Sequence, residues 1–252
     1  MSDSRQRRDL GCATLEGAAH PVGPIAEKGT MPTHAPSTPT TPTHTVLDPA
    51  ILYFGTPVVL LSTIDDRGIT NTAPMSSVFW LGQTALLGMG GRSVTAQNLL
   101  STGECVINLP SSHQVDAVDR MALTTGRFPV PADKAAVGYR HEADKIGRAG
   151  LHARPGDTVR ALRIDECPVN LEARIVGSRA LQKEHPDDGD TFVFEAQVTR
   201  VHVHESIRLH GTKDRIDPDL WRPLIMNFQR FYGLGDEVHP SRLSQIDEEW
   251  YR

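Results

Sequence analysis

A short segment rich in glycine and hydroxyl side chains carries the residue types that bind an anion. The sequence Gly-Gly-Arg-Ser-Val-Thr begins at residue 90 and stands at the predicted start of a helix, where backbone N–H groups point towards a bound anion. Gly91 and the glycine before it let the backbone approach a ligand closely, and Arg92 can form a charge-assisted pair with the ligand. Ser93 and Thr95 add hydroxyl donors. The segment therefore predicts an anion site.

Asn98 extends this candidate site along the predicted helix. It lies one turn beyond Thr95, so the two side chains are on the same helical face. A glycine turn followed by an ordinary helix cap explains the same residues equally well on spacing alone. The pattern by itself leaves both interpretations open, and it does not identify the anion.

Histidines cluster near the end of a predicted strand, at His202, His204 and His210. Within a strand His202 and His204 share a face, so a metal site with a third ligand is conceivable. No acidic or cysteine residue at a suitable spacing completes such a site. We therefore interpret the pair as solvated strand residues or dimer contacts, and we predict no metal site.

The three cysteines, Cys12, Cys105 and Cys167, are an odd number and contain no Cys-x-x-Cys pair. Cys105 and Cys167 lie inside apolar, strand-like runs, without an activating base or further ligands at a suitable spacing. This usage is typical of reduced thiols in a cytoplasmic protein. We predict no catalytic cysteine.

Composition and charge exclude several classes of partner. The 252 residues carry a formal net charge of −5 and a pI near 6.1, so they supply no diffuse positive field for DNA or RNA. No stretch approaches the roughly 18 apolar residues of a membrane span, and the N-terminal arginines are not followed by the apolar run of a signal peptide. We expect a cytoplasmic protein with neither a nucleic-acid partner nor a membrane partner.

The first 45 residues differ in composition from the rest of the chain. They are rich in Pro, Thr, Ser, Ala and Gly, and they hold too little apolar surface to offset the entropy of ordering. We predict a disordered tail at 1–45, followed by one domain at 46–252. Because the composition changes little around Met31, translation from Met31 and a genuine unstructured extension are equally compatible with it.

Predicted strands surround the candidate anion site, and a helix follows it. Gly68 can adopt the positive φ that a hairpin turn demands, and Gly103 can close the helix predicted over 95–102. The predicted strands in this part of the chain cover residues 58–64, 69–75, 84–89 and 104–109.

The rest of the domain is predicted to contain two longer strands, with helices at its periphery. Apolar and polar residues alternate from Val169 to Ile175 and from Phe192 to Val198, as in strands with one buried face. Few helices separate the strands, which favours a small barrel over a parallel α/β sheet. We predict a mainly β fold with peripheral helices. The remaining predictions are a two-turn helix from Asp48-Pro49 to Gly55, a helix from Ser111 to about Leu123, a long excursion at 124–155 with one helical turn near Lys134, a polar loop at 183–190 and a C-terminal helical region from Asp217 to Tyr232.

Six segments of the chain form a specific series, although each alone is a weak signal. They are Thr56-Pro-Val-Val-Leu-Leu-Ser-Thr-Ile64, Asn71-Thr-Ala-Pro-Met-Ser-Ser77, Thr95-Ala-Gln-Asn98, Gly103-Glu-Cys-Val-Ile-Asn-Leu109, Cys167-Pro-Val-Asn-Leu-Glu172 and Phe194-Glu-Ala-Gln-Val-Thr-Arg-Val-His202. Their order and spacing resemble the flavin-reductase-like family over roughly residues 50 to 235. The resemblance implies an FMN-binding split β-barrel, usually assembled as a homodimer with the flavin near the interface.

The resemblance also implies a redox function. Members of the family use NADH or NADPH to reduce free or bound flavin, and they often supply a monooxygenase partner. We therefore expect an FMN-binding, NAD(P)H-dependent flavin oxidoreductase in which FAD can take the place of FMN. Because a flavin accepts hydride at its own ring, the protein needs no catalytic acid, base or nucleophile. The alternative is a flavin-carrying electron-transfer or storage protein without a nicotinamide site, since no segment forms a readable dinucleotide motif.

The resemblance assigns roles to individual residues as well. Ser76 and Ser77 are expected to bind the polar edge of the flavin ring, with Met75 as part of an apolar wall. Phe79 and Trp80 either extend that wall or fill the core. The residues expected to bind the cofactor are Ser76, Ser77, Gly91, Arg92, Ser93, Thr95 and Asn98.

Overall fold

The computed structural model describes residues 43–181 and 190–251. The chain divides into two units, at residues 1–48 and 49–252. Of the first unit, residues 43–48 are described, and they form neither a helix nor a strand. Almost all of the predicted tail at 1–45, and all but one residue of the predicted polar loop at 183–190, lie outside the described residues.

The described part of the second unit is mainly β-structure. Among these residues no helix is both long enough and apolar enough to cross a membrane. The strands are β1 (Phe54–Pro57), β2 (Val59–Ile64), β3 (Thr70–Met75), β4 (Val78–Leu81), β5 (Thr84–Gly90), β6 (Glu104–Leu109), β7 (Thr124–Thr125), β8 (Arg140–His141), β9 (Ala153–Arg154), β10 (Arg163–Ile164), β11 (Val169–Ala180), β12 (Thr191–Val203), β13 (Leu224–Asn227) and β14 (Arg230–Gly233). The α-helices are α1 (Val94–Thr102), α2 (Val115–Met121), α3 (Ala132–Ala136) and α4 (Lys145–Ala149). Short 3₁₀ helices cover Ser112–Gln114, Glu205–Ile207, Arg242–Gln245 and Glu248–Tyr251.

Seven strands form one antiparallel sheet in the order β3-β2-β6-β11-β12-β5-β4. The predicted hairpin lies at one edge of this sheet, where β2 pairs with β3 and Gly68 has a φ of 86°. The Asp65 carboxylate secures its turn by accepting a hydrogen bond of 2.7 Å from the N–H of Ile69. All six strands that the sequence pattern predicted belong to this sheet, so these predictions are confirmed.

β2 is buried along its whole length because both of its faces are covered. Successive side chains of a strand point to opposite faces, so Val59 and Leu61 join the main core, which contains Phe194. Val58 and Leu60 point the other way, into a second core formed largely by α2 and α4. The sheet therefore separates two apolar layers.

α1 confirms the helix predicted over 95–102. Ser93 caps its first turn by accepting a hydrogen bond from the N–H of Ala96 at 3.1 Å. Gly103 ends the helix with a φ of 67° and donates its N–H to the carbonyl of Leu99. The buried face of the helix packs on the main core.

The long excursion at 124–155 contains the predicted helical turn, α3, and a second helix, α4, that sequence patterning did not predict. Five residues are too few to show helical periodicity. α4 is instead fixed at its ends, where the Asp144 carboxylate accepts the N–H of Gly147 and Gly150 has a φ of 70°. Arg120 of α2 donates two hydrogen bonds to the Ala149 carbonyl, which fastens the helix to the second core.

The predicted helix from Asp48-Pro49 to Gly55 is wrong. Residues 51–53 have no regular structure, and the chain then enters β1, which pairs with β13. The N–H of Phe228 donates to the carbonyl of Tyr53. Pairing with a distant strand satisfies the backbone hydrogen-bonding groups of this segment, and the local sequence cannot reveal such a partner.

The predicted C-terminal helical region is also wrong at residues 224–233, which include β13, the strand that pairs with β1. Residues 224–233 form a hairpin, in which Asn227 pairs with Arg230 across a two-residue turn. Phe228 and Gln229 occupy that turn with φ values of 45° and 64°. Such left-handed conformations are normally signalled by Gly or Asn, so the sequence carries no hairpin signal and the apolar residues fit a helical pattern equally well.

Candidate functional site

Two clefts meet at the end of β3. We call them the small cleft, of about 410 Å³, and the large cleft, of about 730 Å³. Because Ala73, Pro74, Met75, Gly90 and Lys134 line both, the clefts form one continuous groove of a size suited to a small organic molecule. Gly91, Arg92, Ser93, Thr95, Arg127 and Asp133 define the small cleft. Tyr53, Ser76, Ser77, Leu123, Tyr139 and Phe231 define the large cleft.

The first turn of α1 presents unpaired backbone donors to the small cleft. The N–H of Ala96 is taken by the Ser93 hydroxyl, and that of Gln97 by the Ser93 carbonyl. Within the described residues, the N–H groups of Val94 and Thr95 have no acceptor. Both residues line the small cleft. The start of the helix can therefore bind an anion there.

Gly91 serves a different purpose from the one that the sequence suggested. Its N–H donates to the Asp190 carbonyl at 2.6 Å, so it is not free for a ligand. A Cβ at this position would lie 2.7 Å from a ring carbon of Phe192, which explains the need for glycine. Gly90 differs, because a Cβ there would meet no protein atom within 4 Å, although the residue lines both clefts.

Three cationic side chains line the small cleft. Arg92 is exposed and lies 3.8 Å from Asp133, whereas Arg127 donates a hydrogen bond of 3.0 Å to the Arg92 carbonyl. Lys134 lies over the ring of Tyr139, at 5.2 Å from its centroid. Sequence reasoning missed Arg127 and Lys134 because they lie in the excursion, where no local motif marks a ligand.

Thr95 and Asn98 are both buried, but they do not face the same groove. Thr95 lines the small cleft, and its hydroxyl oxygen accepts a hydrogen bond of 3.0 Å from the Asn71 amide. Asn98 lines neither cleft, since its amide donates to the Thr63 hydroxyl at 3.1 Å and thus joins α1 to β2. The predicted contact between Asn98 and the anion has no support in this geometry. Asn71, which stands in the second of the six segments, is instead the amide that hydrogen-bonds a residue lining the small cleft.

Lys145 contacts Asn71 on the side away from Thr95, and its pKa is strongly lowered. Its ammonium donates to the Asn71 side-chain oxygen at 3.0 Å, and the residue is only 5% exposed. The pKa of Lys145 is lowered from 10.5 to about 8, chiefly by burial and also by nearby Lys134, while Glu142 opposes the shift. Lys145 is the first residue of α4. Because sequence patterning did not predict this helix, it did not place Lys145 near the candidate site.

Ser76 and Ser77 line the large cleft, as does the apolar side chain of Met75. The Ser77 hydroxyl lies 3.4 Å from the Tyr53 hydroxyl, and its carbonyl accepts the N–H of Gly88. For Ser76, no side-chain hydrogen bond is present within residues 43–181 and 190–251. Its hydroxyl is therefore available to a ligand.

Phe79 and Trp80 line neither cleft. Trp80 packs against the main core, so the core-packing interpretation applies to it. Phe79 is half exposed on β4. The wall of the large cleft comes instead from Leu123, Met226 and Phe231, which sequence reasoning did not assign to it.

Of the two strand histidines, His202 contacts acidic partners that spacing alone did not reveal, whereas the His204 ring lies 2.8 Å from the Asp165 backbone carbonyl. His202, Glu172 and Asp157 bring three possible metal-ligand atoms within 4.8 Å of one another. The two Glu172 oxygens already accept four hydrogen bonds, from His202, the Asp157 N–H, and the N–H and hydroxyl of Thr158. A carboxylate has about four lone-pair positions, so these hydrogen bonds already occupy the Glu172 oxygens. We therefore interpret the cluster as a hydrogen-bond network that stabilises the fold. Burial raises the pKa of Glu172, but the hydrogen bonds from Thr158 and Asp157 outweigh it and bring the pKa to about 2.

The two described cysteines are poor nucleophiles. Burial raises the pKa of Cys105 to about 12, with a smaller contribution from Glu104. Burial also raises the pKa of Cys167. Both thiols are therefore protonated at neutral pH, and neither lines the clefts.

Comparisons with known proteins give one family match, one related sequence and several similar folds. Residues 51–235 match the model of the flavin reductase like domain. The uncharacterized protein YdfE of Bacillus subtilis is 37% identical over 193 residues, which cover 76% of this chain and 90% of that protein. The flavoredoxin of Desulfovibrio vulgaris has a similar structure, with a TM-score of 0.63 and 20% identity over 81% of this chain and all of that one. Component B of nitrilotriacetate monooxygenase from Bacillus cereus gives a TM-score of 0.62 and 17% identity over 79% of this chain and all of that one. The fold is thus the predicted split β-barrel.

Proposed function

Because this chain belongs to the flavin reductase-like domain family, we propose that it binds FMN across the two clefts and reduces it with NADH or NADPH. The observation that carries the proposal is the continuous groove itself. One end combines cations with the unpaired N–H groups of α1, and the other combines serine hydroxyls with apolar side chains. An anionic tail and a flat heteroaromatic ring require these two environments side by side.

The small cleft suits the phosphate. The N–H groups of Val94 and Thr95 point from the start of a nine-residue helix, whose dipole favours negative charge. Arg92 and Arg127 add positive charge from two different elements. Asp133 also lines this cleft, and its negative charge disfavours a second phosphate. This arrangement supports FMN over FAD.

The large cleft suits the ring. When bound, the flavin supplies the chemistry, because its ring accepts a hydride and passes electrons on. The chain's part is to hold and orient it. Ser76 and Ser77 offer hydroxyls to its polar edge, while Leu123, Met226 and Phe231 give an apolar surface that excludes water.

The proposal includes a homodimer and transfer of electrons to a monooxygenase partner in the cytoplasm. Support for the dimer comes from exposed apolar side chains on β1 and β4, two strands that lie close to each other. Phe54 on β1 is 69% exposed and packs edge-on against Phe228, and Leu81 on β4 is 65% exposed. Apolar side chains grouped in this way are typical of protein contacts.

The test is a titration of purified protein with FMN, followed by steady-state oxidation of NADH and of NADPH in the presence of flavin. Uptake of FMN and oxidation of one nicotinamide are expected. FMN at about 100 times its Kd should also stabilise the fold by about 2.7 kcal/mol. Protein that takes up no flavin and oxidises neither nicotinamide contradicts the proposal.

A flavin-carrying electron-transfer protein is the second candidate, because the chain contains no readable dinucleotide motif. The same experiment separates the two. Tight binding of FMN, negligible oxidation of either nicotinamide and reduction by another electron donor would select the carrier.

A further inference from the structure

Three buried polar side chains form a chain of hydrogen bonds that ends at the small cleft. The Lys145 ammonium donates to the Asn71 side-chain oxygen at 3.0 Å, and the Asn71 amide nitrogen donates to the Thr95 hydroxyl oxygen at 3.0 Å. All three residues are less than a tenth exposed. They come from α4, β3 and α1, so three separate elements converge on this contact.

The direction of these hydrogen bonds is fixed by chemistry. A charged ammonium can only donate, so the oxygen of the Asn71 amide must face Lys145 and its nitrogen must face Thr95. A hydroxyl that accepts from an amide keeps its own hydrogen for a further acceptor. Thr95 lines the small cleft, so the hydrogen of its hydroxyl is available there.

Neighbouring groups hold the Asn71 amide in place. A Cβ on Gly126 would lie 2.7 Å from the Asn71 oxygen, so only glycine leaves room at this position. The backbone of Asn71 is paired with β2, opposite Thr63. The amide therefore has little freedom to turn over.

Charged groups around Lys145 do not neutralise it. β3 contributes no ionisable side chain, and α3 contributes the like charge of Lys134. Glu142 and Asp144 precede α4, where the first accepts the N–H of Asp144 and the second caps the helix. Arg120 of α2 is bonded to a backbone carbonyl at the far end of α4. Within the described parts of the chain, Lys145 has no ion-pair partner.

We propose that Lys145 and Asn71 are positioning residues, which orient the Thr95 hydroxyl as a donor to the phosphate of the bound flavin. The inference rests on the proposed function and deepens its phosphate site. Lys145 acts through Asn71, and Asn71 acts through Thr95. The anion completes the arrangement, because it accepts the Thr95 hydrogen and balances a buried positive charge.

The first experiment compares FMN with riboflavin, which has the same ring but no phosphate. Lys145→Met keeps an unbranched side chain that is one atom shorter, and it removes the charge and the donors. It should weaken FMN binding roughly 10- to 100-fold, the range for a lost hydrogen bond to a charged group, and leave riboflavin binding unchanged. Arg67→Met is the matched control, since it removes an exposed positive charge from the turn between β2 and β3 and should alter neither affinity.

The outcomes separate the inference from the proposed function. If the wild-type protein binds neither FMN nor riboflavin, the flavin function itself fails. If it binds both, and Lys145→Met leaves FMN affinity unchanged or weakens both ligands equally, the positioning role is overturned.

Two further variants test the direction of the hydrogen bonds. Thr95→Val removes only the hydroxyl, and combining it with Lys145→Met should cost no more FMN affinity than the larger single loss. Additive losses would mean that Lys145 acts on the phosphate directly, and they would overturn the inference. Asn71→Asp should weaken FMN but not riboflavin, because a carboxylate accepts the Thr95 hydrogen and turns it away from the cleft.

The pH profile gives a readout that a purely structural lysine would not move. The phosphate is already dianionic above its second pKa of about 6. FMN affinity of the wild-type protein should therefore fall by roughly tenfold as the pH is raised above about 8, where Lys145 loses its proton. Riboflavin affinity of the wild type and FMN affinity of Lys145→Met should show no such fall. A flat wild-type profile contradicts the inference.

Discussion

Arg92 and Arg127 reach the small cleft from different surroundings. Arg92 is exposed and faces the opposing charge of Asp133 at 3.8 Å, whereas Arg127 is held by its hydrogen bond to the Arg92 carbonyl. Both supply positive charge, but solvent and Asp133 screen Arg92 more strongly. The side chain that sequence reasoning emphasised is thus the less constrained of the two.

Replacing either arginine with alanine should weaken FMN binding. We expect a loss of about 1 kcal/mol for Arg92→Ala and about 2 kcal/mol for Arg127→Ala, within the range of a lost charge-assisted hydrogen bond. Fluorescence titration with FMN measures this, and riboflavin serves as the phosphate-free control. Unchanged FMN affinity in Arg92→Ala would refute its assignment to the phosphate.

Lys145 also makes a prediction about stability without ligand. Its pKa is about 8 in the folded protein and 10.5 in a solvated chain. Between these pH values the unfolded chain binds more protons, so this group makes stability rise with pH, by on the order of 3 kcal/mol in total. Below about pH 8 Lys145 is charged in both states, and the whole destabilisation from burying its charge is present.

The measurement is the free energy of unfolding of the wild-type protein and of Lys145→Met from about pH 7 to pH 11. The difference between the two should shift in favour of the wild type across this window. The variant also leaves the Asn71 oxygen without its donor, which adds a constant offset and does not change the slope. A difference independent of pH would show that Lys145 is solvated in the folded protein.

At the scale of elements, the junction of β5 and α1 is shaped by its contact with β12. Gly91 packs against Phe192 and donates to the Asp190 carbonyl, while Gly90 borders open space in the groove. Two adjacent glycines thus have distinct roles, one in packing and one in access.

The matched pair Gly91→Ala and Gly90→Ala should separate these roles. Gly91→Ala places a methyl group 2.7 Å from the Phe192 ring, and overpacking of this kind costs about 1–3 kcal/mol of stability. Gly90→Ala should leave the denaturation midpoint close to that of the wild type and weaken FMN binding. Equal stability of the two variants would contradict the packing role of Gly91.

Sequence reasoning succeeded for elements whose signals are local. β11 and β12 alternate apolar and polar side chains over the predicted segments, and α1 has both a serine cap and a glycine end. It failed where the partner is distant, as for β1 and for the hairpin of β13 and β14. The anion segment was found, but Asn71, Arg127 and Lys145 join it only through folding of β3, the excursion and α4. No spacing along the chain could bring them together.

At the scale of the molecule, the groove is lined by residues of the main sheet and by residues of the second apolar layer. Ala73 and Met75 come from a strand of the main sheet, whereas Met121 and Phe231 belong to the second layer of α2 and the C-terminal hairpin. A ligand in the groove therefore contacts both layers. This placement explains why binding is expected to stabilise the whole domain and not only the loops around the cleft.

The exposed apolar side chains of β1 and β4 make the last prediction, which concerns assembly. If this surface joins two copies of the chain, Leu81→Glu should place a charge in the interface, because Leu81 is 65% exposed in the single chain. We expect the variant to be monomeric by size-exclusion chromatography with light scattering, at a concentration where the wild type is a dimer. Leu100→Glu is the control, since Leu100 is 52% exposed on α1 and lies apart from β1 and β4 in the chain. A monomeric wild type, or a Leu81→Glu dimer as stable as that of the control, would show that these side chains do not form the contact.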